Sequence, residues 1–216
     1  MTPTRFVKQL GSLRFPATFN PYTDQCSIHD SSGAPAQRSQ ILLQILEKAE
    51  KVEIDAIWVG RDLGFRGGRR TGLALTDDVH FHEHLMRWGI ASEKPTQGRP
   101  VAERTATVVW DLLSRIEVPI FLWNVFPLHP HEPNAPFTNR LHNGEERKAG
   151  TEILEQLVNL LQPKRLIAIG NDAEKALRLI ATDRPVQKVR HPSYGGQTEF
   201  VQQIRTLYEI ESGTLL

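Results

Sequence analysis

The sequence predicts an α/β fold, a three-layer α/β/α sandwich around a central, mostly parallel sheet. Three observations lead to it. Short β-branched apolar runs alternate with longer stretches of helical periodicity. The apolar runs read as strands buried on both faces, as parallel strands between helices must be. The 216 residues contain no internal repeat, low-complexity tract or linker, so one domain over residues 1–216 is expected.

The elements follow in order. Residues 39–50 place Ile41, Leu42, Ile45, Leu46 and Ala49 on one helical face, with Ser39 as cap. Residues 54–59 (IDAIWV) read as a buried strand that ends at Gly60 in a glycine-rich loop. Residues 101–116 are helix-like, and 118–125 (VPIFLWNV) form a second buried strand before a loop rich in proline and histidine. Residues 145–161 are a clear helix, with Ile153, Leu154, Leu157, Leu160 and Leu161 at helical spacing. A third strand covers 165–169, and Gly170 turns it into a helix over 173–180. Residues 186–189 form a fourth short strand leading into His191, and a last helix covers 198–208. In such folds the site lies at the carboxyl ends of the strands. Here those ends are Gly60, Asn124, Gly170 and His191.

Composition sets the class. An apolar share of 39% and a charged share of 24% are those of an ordinary soluble globular protein. No apolar run approaches the ~20 residues needed to span a bilayer, and the N-terminus lacks the pattern of a secretory signal. A cytoplasmic monomer without membrane contact is expected. One cysteine, Cys26, excludes an internal disulfide and any cluster held by several thiolates, and reads as an inert thiol. The net charge of +1 says little, but Arg61, Arg66, Arg69 and Arg70 crowd together among glycines. A local basic loop on a near-neutral protein points to a polyanion at one place; a solvated loop is the bland alternative.

Three segments carry the chemistry. In the first, Gly60 to Gly72, glycines let the backbone approach a ligand and aim N–H groups at anions. Its spacing is neither a P-loop nor a dinucleotide fingerprint. Asp62, at a strand end among arginines, is a candidate general base or electrostatic stabiliser; a loop-capping Asp is the alternative. In the second, Asn124 tips a buried strand, where its amide offers a donor and an acceptor side by side. That pair suits the edge of a flipped base, although an Asn tying down a turn is common. In the third, Pro192 holds His191 in extended backbone, from which it can donate to a developing anion. Ser193 and neighbouring N–H groups can take a phosphate.

Together, Gly60-Arg61-Asp62-Leu63-Gly64, Leu122-Trp123-Asn124-Val125 and His191-Pro192-Ser193 resemble, in order, the motifs of the uracil-DNA glycosylase superfamily. Asn139-Arg140, and 167–170 followed by 173–177, resemble segments of its bacterial iron–sulfur branch. The resemblance covers about residues 52–205. It implies a four-stranded parallel sheet between helices and removal of uracil from DNA, in base excision repair, without a cofactor. Asp62 would orient water and stabilise the sugar cation, Asn124 would read N3 and O4 of uracil, and His191 would bond O2 of the leaving anion. Gly60, Arg61, Gly64, Phe65 and Leu75 would border the base. Arg66, Arg69, Arg70, Arg190, Ser193 and Gly195 would hold DNA, and Tyr194 would wedge into the gap left by the flipped nucleotide.

The sequence also departs from the pattern. Leu63 replaces the usual proline, which implies a less rigid loop. Gly64 stands where the most uracil-selective branch has a tyrosine that excludes the methyl of thymine. Leu75 falls where a phenylalanine stacks on the base, with Phe65 and Phe81 as replacements. A single cysteine cannot hold the iron–sulfur cluster. Two other functional classes remain open: a DNA- or uracil-binding relative without turnover, and a small-molecule hydrolase using Asp62 and His191. His80, His82 and His84 would converge on a metal only if they lay on a strand, and the residues after them favour helix, so no metal is expected.

Overall fold

The computed structural model describes residues 1–181, 183–193 and 195–211. The chain begins with α1 (Pro3–Ser12), β1 (Thr18–Phe19) and α2 (Ala34–Ala49). It continues through β2 (Ala56–Asp62), the single turn α3 (Gly68–Thr71), α4 (Phe81–Arg87), α5 (Arg104–Leu113), β3 (Ile120–Phe126) and β4 (His129–Pro130). The last third holds α6 (Gly144–Leu161), β5 (Arg165–Ile169), α7 (Asn171–Ile180), β6 (Val186–Val189) and α8 (Gln197–Leu207).

Four strands form one parallel sheet in the order β3-β2-β5-β6, as the alternating pattern predicts. Side-chain alternation then assigns the layers. Ile57, Val59, Trp123, Val125, Leu166 and Ala168 pack with α1, α2, α6 and α7 in one core cluster. Trp58, Leu122, Ile167 and Ile169 pack with α5 and α8 in the other. Gly60 shares parity with Trp58 and Asn124 with Leu122, so these two residues belong to the α5/α8 face. Because α5 enters β3, its first turn stands at the carboxyl ends of the strands, above that face.

Two boundaries differ from expectation in ways that matter. The strand expected to stop at Val59 continues to Asp62, because β3 runs beside it and pairs Gly60 with Asn124 and Asp62 with Phe126. Asp62 therefore sits on a paired strand rather than in a free loop. Helix α2 begins at Ala34 instead of 39, since Pro35 lies in its first turn, where a missing N–H has no consequence. The first fifty residues brace the glycine-rich segment. The Tyr22 hydroxyl donates to Gly72 O at 2.8 Å, and Arg38 Nε donates to Arg70 O at 2.8 Å while its guanidinium pairs with buried Asp30. Strand β1 pairs antiparallel with β4.

Candidate active site

A cleft of about 630 Å³ opens at the carboxyl ends of β2, β5 and β6. It is lined by Arg61, Asp62, Gly64, Leu75, Arg190, His191 and Ser193 among the sequence-predicted residues, together with Glu103, Asn139 and Arg140.

Gly60 and Asn124 lie outside the lining itself, behind Leu75, which belongs to it. A Cβ at Gly60 would lie 2.5 Å from Asn124 Oδ1 and 3.1 Å from Leu75 Cδ2, so the missing side chain is what brings these two residues together. Asn124 is 1% exposed, and neither its Nδ2 nor its Oδ1 has a hydrogen-bond partner. Asn20 is equally buried yet fully used: its Nδ2 donates to Leu10 O and Leu13 O, and its Oδ1 accepts from Tyr22 N–H. Burying an amide unpaired is unfavourable by about 1–3 kcal/mol. Asn20 behaves as structure, whereas Asn124 holds a donor and an acceptor in reserve. Leu75 borders it in a left-handed backbone conformation (φ 53°), held by Trp110 Nε1 donating to its carbonyl at 3.1 Å.

Asp62 is engaged on both oxygens. Oδ2 accepts from Arg61 Nε at 2.8 Å, and Oδ1 makes a short hydrogen bond with Nδ1 of His142. With a carboxylate as acceptor, Nδ1 of His142 is the donor. Each oxygen keeps a further lone pair for water. The sequence reading missed His142; its only local signal is a histidine one residue before the α6 capping box of Asn143 and Glu146. Glu146 also grips Arg140 with both oxygens, which fixes the segment that delivers His142.

His191 stands over Gly170 (φ 92°), where an added Cβ would meet His191 Cβ at 3.3 Å and the imidazole Cδ2 at 3.8 Å. Its Nδ1 accepts the Ser193 N–H at 3.1 Å, so in the neutral ring Nε2 carries the proton. Burial first, then the Arg61 and Arg190 guanidiniums, hold its pKa below the usual imidazole range, and the ring is neutral at pH 7.

Other predicted residues scatter. Arg69 and Arg70 do not reach solvent, which corrects the reading of all four arginines as one basic loop. Arg70 is buried and paired with Asp78 at 2.7 Å, while Arg69 is buried between the rings of Phe19 and Phe137. Two consecutive arginines on a buried helical turn must be neutralised or stacked, and these are. Arg66, Arg190 and Gly195 are exposed, and Arg61 is partly so. Phe65 is half-buried, with its N–H donating to Asn139 Oδ1, and lies outside the lining; Phe81 is fully buried in the core under α4 and cannot stack on a base. Tyr194 lies outside the described residues. The three histidines of residues 80–84 disperse: His80 bonds Asp77, His84 is buried against Thr76, and His82 is exposed. Among the described residues no group of three or more His, Cys, Asp or Glu could hold a metal ion.

A sequence model described as the Uracil DNA glycosylase superfamily matches residues 52–207. The chain belongs to that superfamily. The matched span contains every residue of the cleft lining. Among solved structures, the fold is similar to that of wild-type SMUG2 from Pedobacter heparinus, with a TM-score of 0.63 and 14% identity over 97% of each chain. That likeness in fold also covers the N-terminal segment that the sequence match omits. A search of curated proteins gives no match.

Proposed function

We propose that the protein is a monofunctional uracil-DNA glycosylase, which flips uracil out of DNA and hydrolyses its N-glycosidic bond to leave an abasic site. The observation that carries this reading is the Asn124 amide, buried, unpaired and set beside Gly60 and the cleft-lining Leu75. Its donor and acceptor match the O4 and N3–H edge of uracil. As the C1′–N1 bond breaks, its electron pair passes to the base and charge develops on O2. His191 donates its Nε2–H to that oxygen, and a neutral imidazole does so without a proton transfer. Asp62, held by Arg61 and His142, faces the sugar cation and accepts the proton of the water that attacks C1′. Because Asp62 is fixed before reaction, little reorganisation is needed in the transition state. Arg61, Arg190 and Ser193 in the lining, with the exposed Arg66, take phosphates in this reading.

The test is excision from oligonucleotides carrying U, U·G or T·G, read as strand breakage after alkali, with and without EDTA. Uracil excision that resists EDTA and falls at least about a hundredfold in Asp62→Asn, Asn124→Ala and His191→Ala is expected. A wild-type protein that binds DNA with a steep salt dependence but excises nothing would be a binding relative on this fold. Absence of both excision and salt-sensitive binding would leave the small-molecule hydrolase.

A further inference from the structure

Glu103 stands in the cleft wall without a role in the chemistry above. It occupies the N-cap position of α5, yet its side chain makes no capping bond. Its backbone N–H is held by Asp77 Oδ2 at 2.6 Å, and the side chain turns instead to the glycine-rich segment. A Cβ at Gly64 would lie 3.2 Å from Glu103 Oε1, and one at Gly67 would overlap Oε2 outright. Glycine at position 67 is what lets the carboxyl occupy this place, and at position 64 a methyl would press on it. Burial first, and then Asp77, raise the Glu103 pKa to about 7, and no hydrogen bond contributes to that shift. Near neutrality much of it is therefore uncharged, with one donor and one acceptor side by side.

This inference rests on the uracil reading. A ring whose O2 meets His191 and whose N3 and O4 meet Asn124 turns its C5–C6 edge away from both. Leu75, Gly64, Gly68 and Glu103 are among the residues that line the cleft and are left for that edge. We propose that Glu103 is a specificity-determining residue, whose carboxyl beside Gly64 borders the C5 edge of the bound pyrimidine and disfavours a methyl group there. A methyl pressed against this carboxyl strips its remaining hydration and offers no bond in return. A hydrocarbon wall of the same size would welcome the methyl.

The experiment compares wild type with Glu103→Gln and Glu103→Leu on U·G and T·G oligonucleotides in single-turnover excision. Leu keeps the bulk and removes the polarity, while Gln keeps both. The expected result is strong preference for U in wild type and Gln, and a T-to-U rate ratio raised about tenfold or more in Leu. A ratio unchanged in Leu, a parallel loss of both activities in Leu, or ready T excision by wild type overturns the proposal. Failure of wild type to excise uracil overturns the reading beneath it, and is separately visible in the first lane.

Discussion

Gly60 is glycine because of its neighbour rather than its own backbone. A methyl there would meet Asn124 Oδ1 at 2.5 Å, and the amide is wedged beside Leu75 with little room to retreat. Gly60→Ala should lower uracil excision at least about a hundredfold while reducing stability by about 1–3 kcal/mol. Excision kinetics beside urea unfolding separate the two effects. In the proposed reaction His142, bonded to Asp62, is a positioning residue one step away from the reacting atoms. His142→Ala should lower the single-turnover rate with an unchanged Kd for uracil-containing DNA, and His142→Asn, whose amide can still donate, should restore part of the rate. A rise in Kd matched by a lower melting temperature would mean that His142 merely supports the fold.

At the scale of elements, the strand-to-loop junction after β2 carries the site. The superfamily's proline at position 63 gives rigidity through its ring. Leu63 reaches the same end differently: its N–H donates to Leu128 O at 3.2 Å, and its side chain is buried where Gly68 leaves room. The less rigid loop that Leu63 implies is thus tied on both its backbone and its side chain. Leu63→Pro removes the N–H and empties the space beside Gly68. It should destabilise by about 2–5 kcal/mol, seen as a lower urea midpoint. A neutral or stabilising effect would show that the ring alone sets the loop.

Over the whole molecule, buried histidines set the response to acid. Burial lowers the pKa of His84 and of His129 to about 3, from an ordinary 6.5. Between these values the unfolded chain binds protons that the folded one refuses, so stability falls as pH drops through the window. Glu103 has the opposite sign. Its raised pKa means that the folded protein holds a proton from about 4.5 to about 7, which favours folding toward lower pH in that range. Two histidines against one carboxyl leave a net loss. The urea midpoint should decline from about pH 6 to 4 and more steeply below about 4.5, where the Glu103 contribution is exhausted. His129→Gln should flatten that decline. A midpoint level from pH 6 to 4 would show that the two rings take up protons without unfolding.

The sequence by itself determined the four strands, their parallel arrangement and the strand ends at which chemistry gathers, because periodicity and strand–helix alternation are local properties of the chain. Asp62, Asn124 and His191 were legible for the same reason, since each follows a buried apolar run. Only the tertiary structure decided what surrounds them. His142 meets Asp62 across 80 residues of chain, and the Glu103 carboxyl fills space that two distant glycines leave open. Arg69 and Arg70 look like a basic loop in the sequence and are buried in the fold, because aromatic rings and an aspartate from elsewhere close over them. Local pattern records which residues must be buried and which backbone must turn. Which polar groups are left without a partner depends on contacts between segments far apart in the chain, and at Asn124 that difference marks the candidate site.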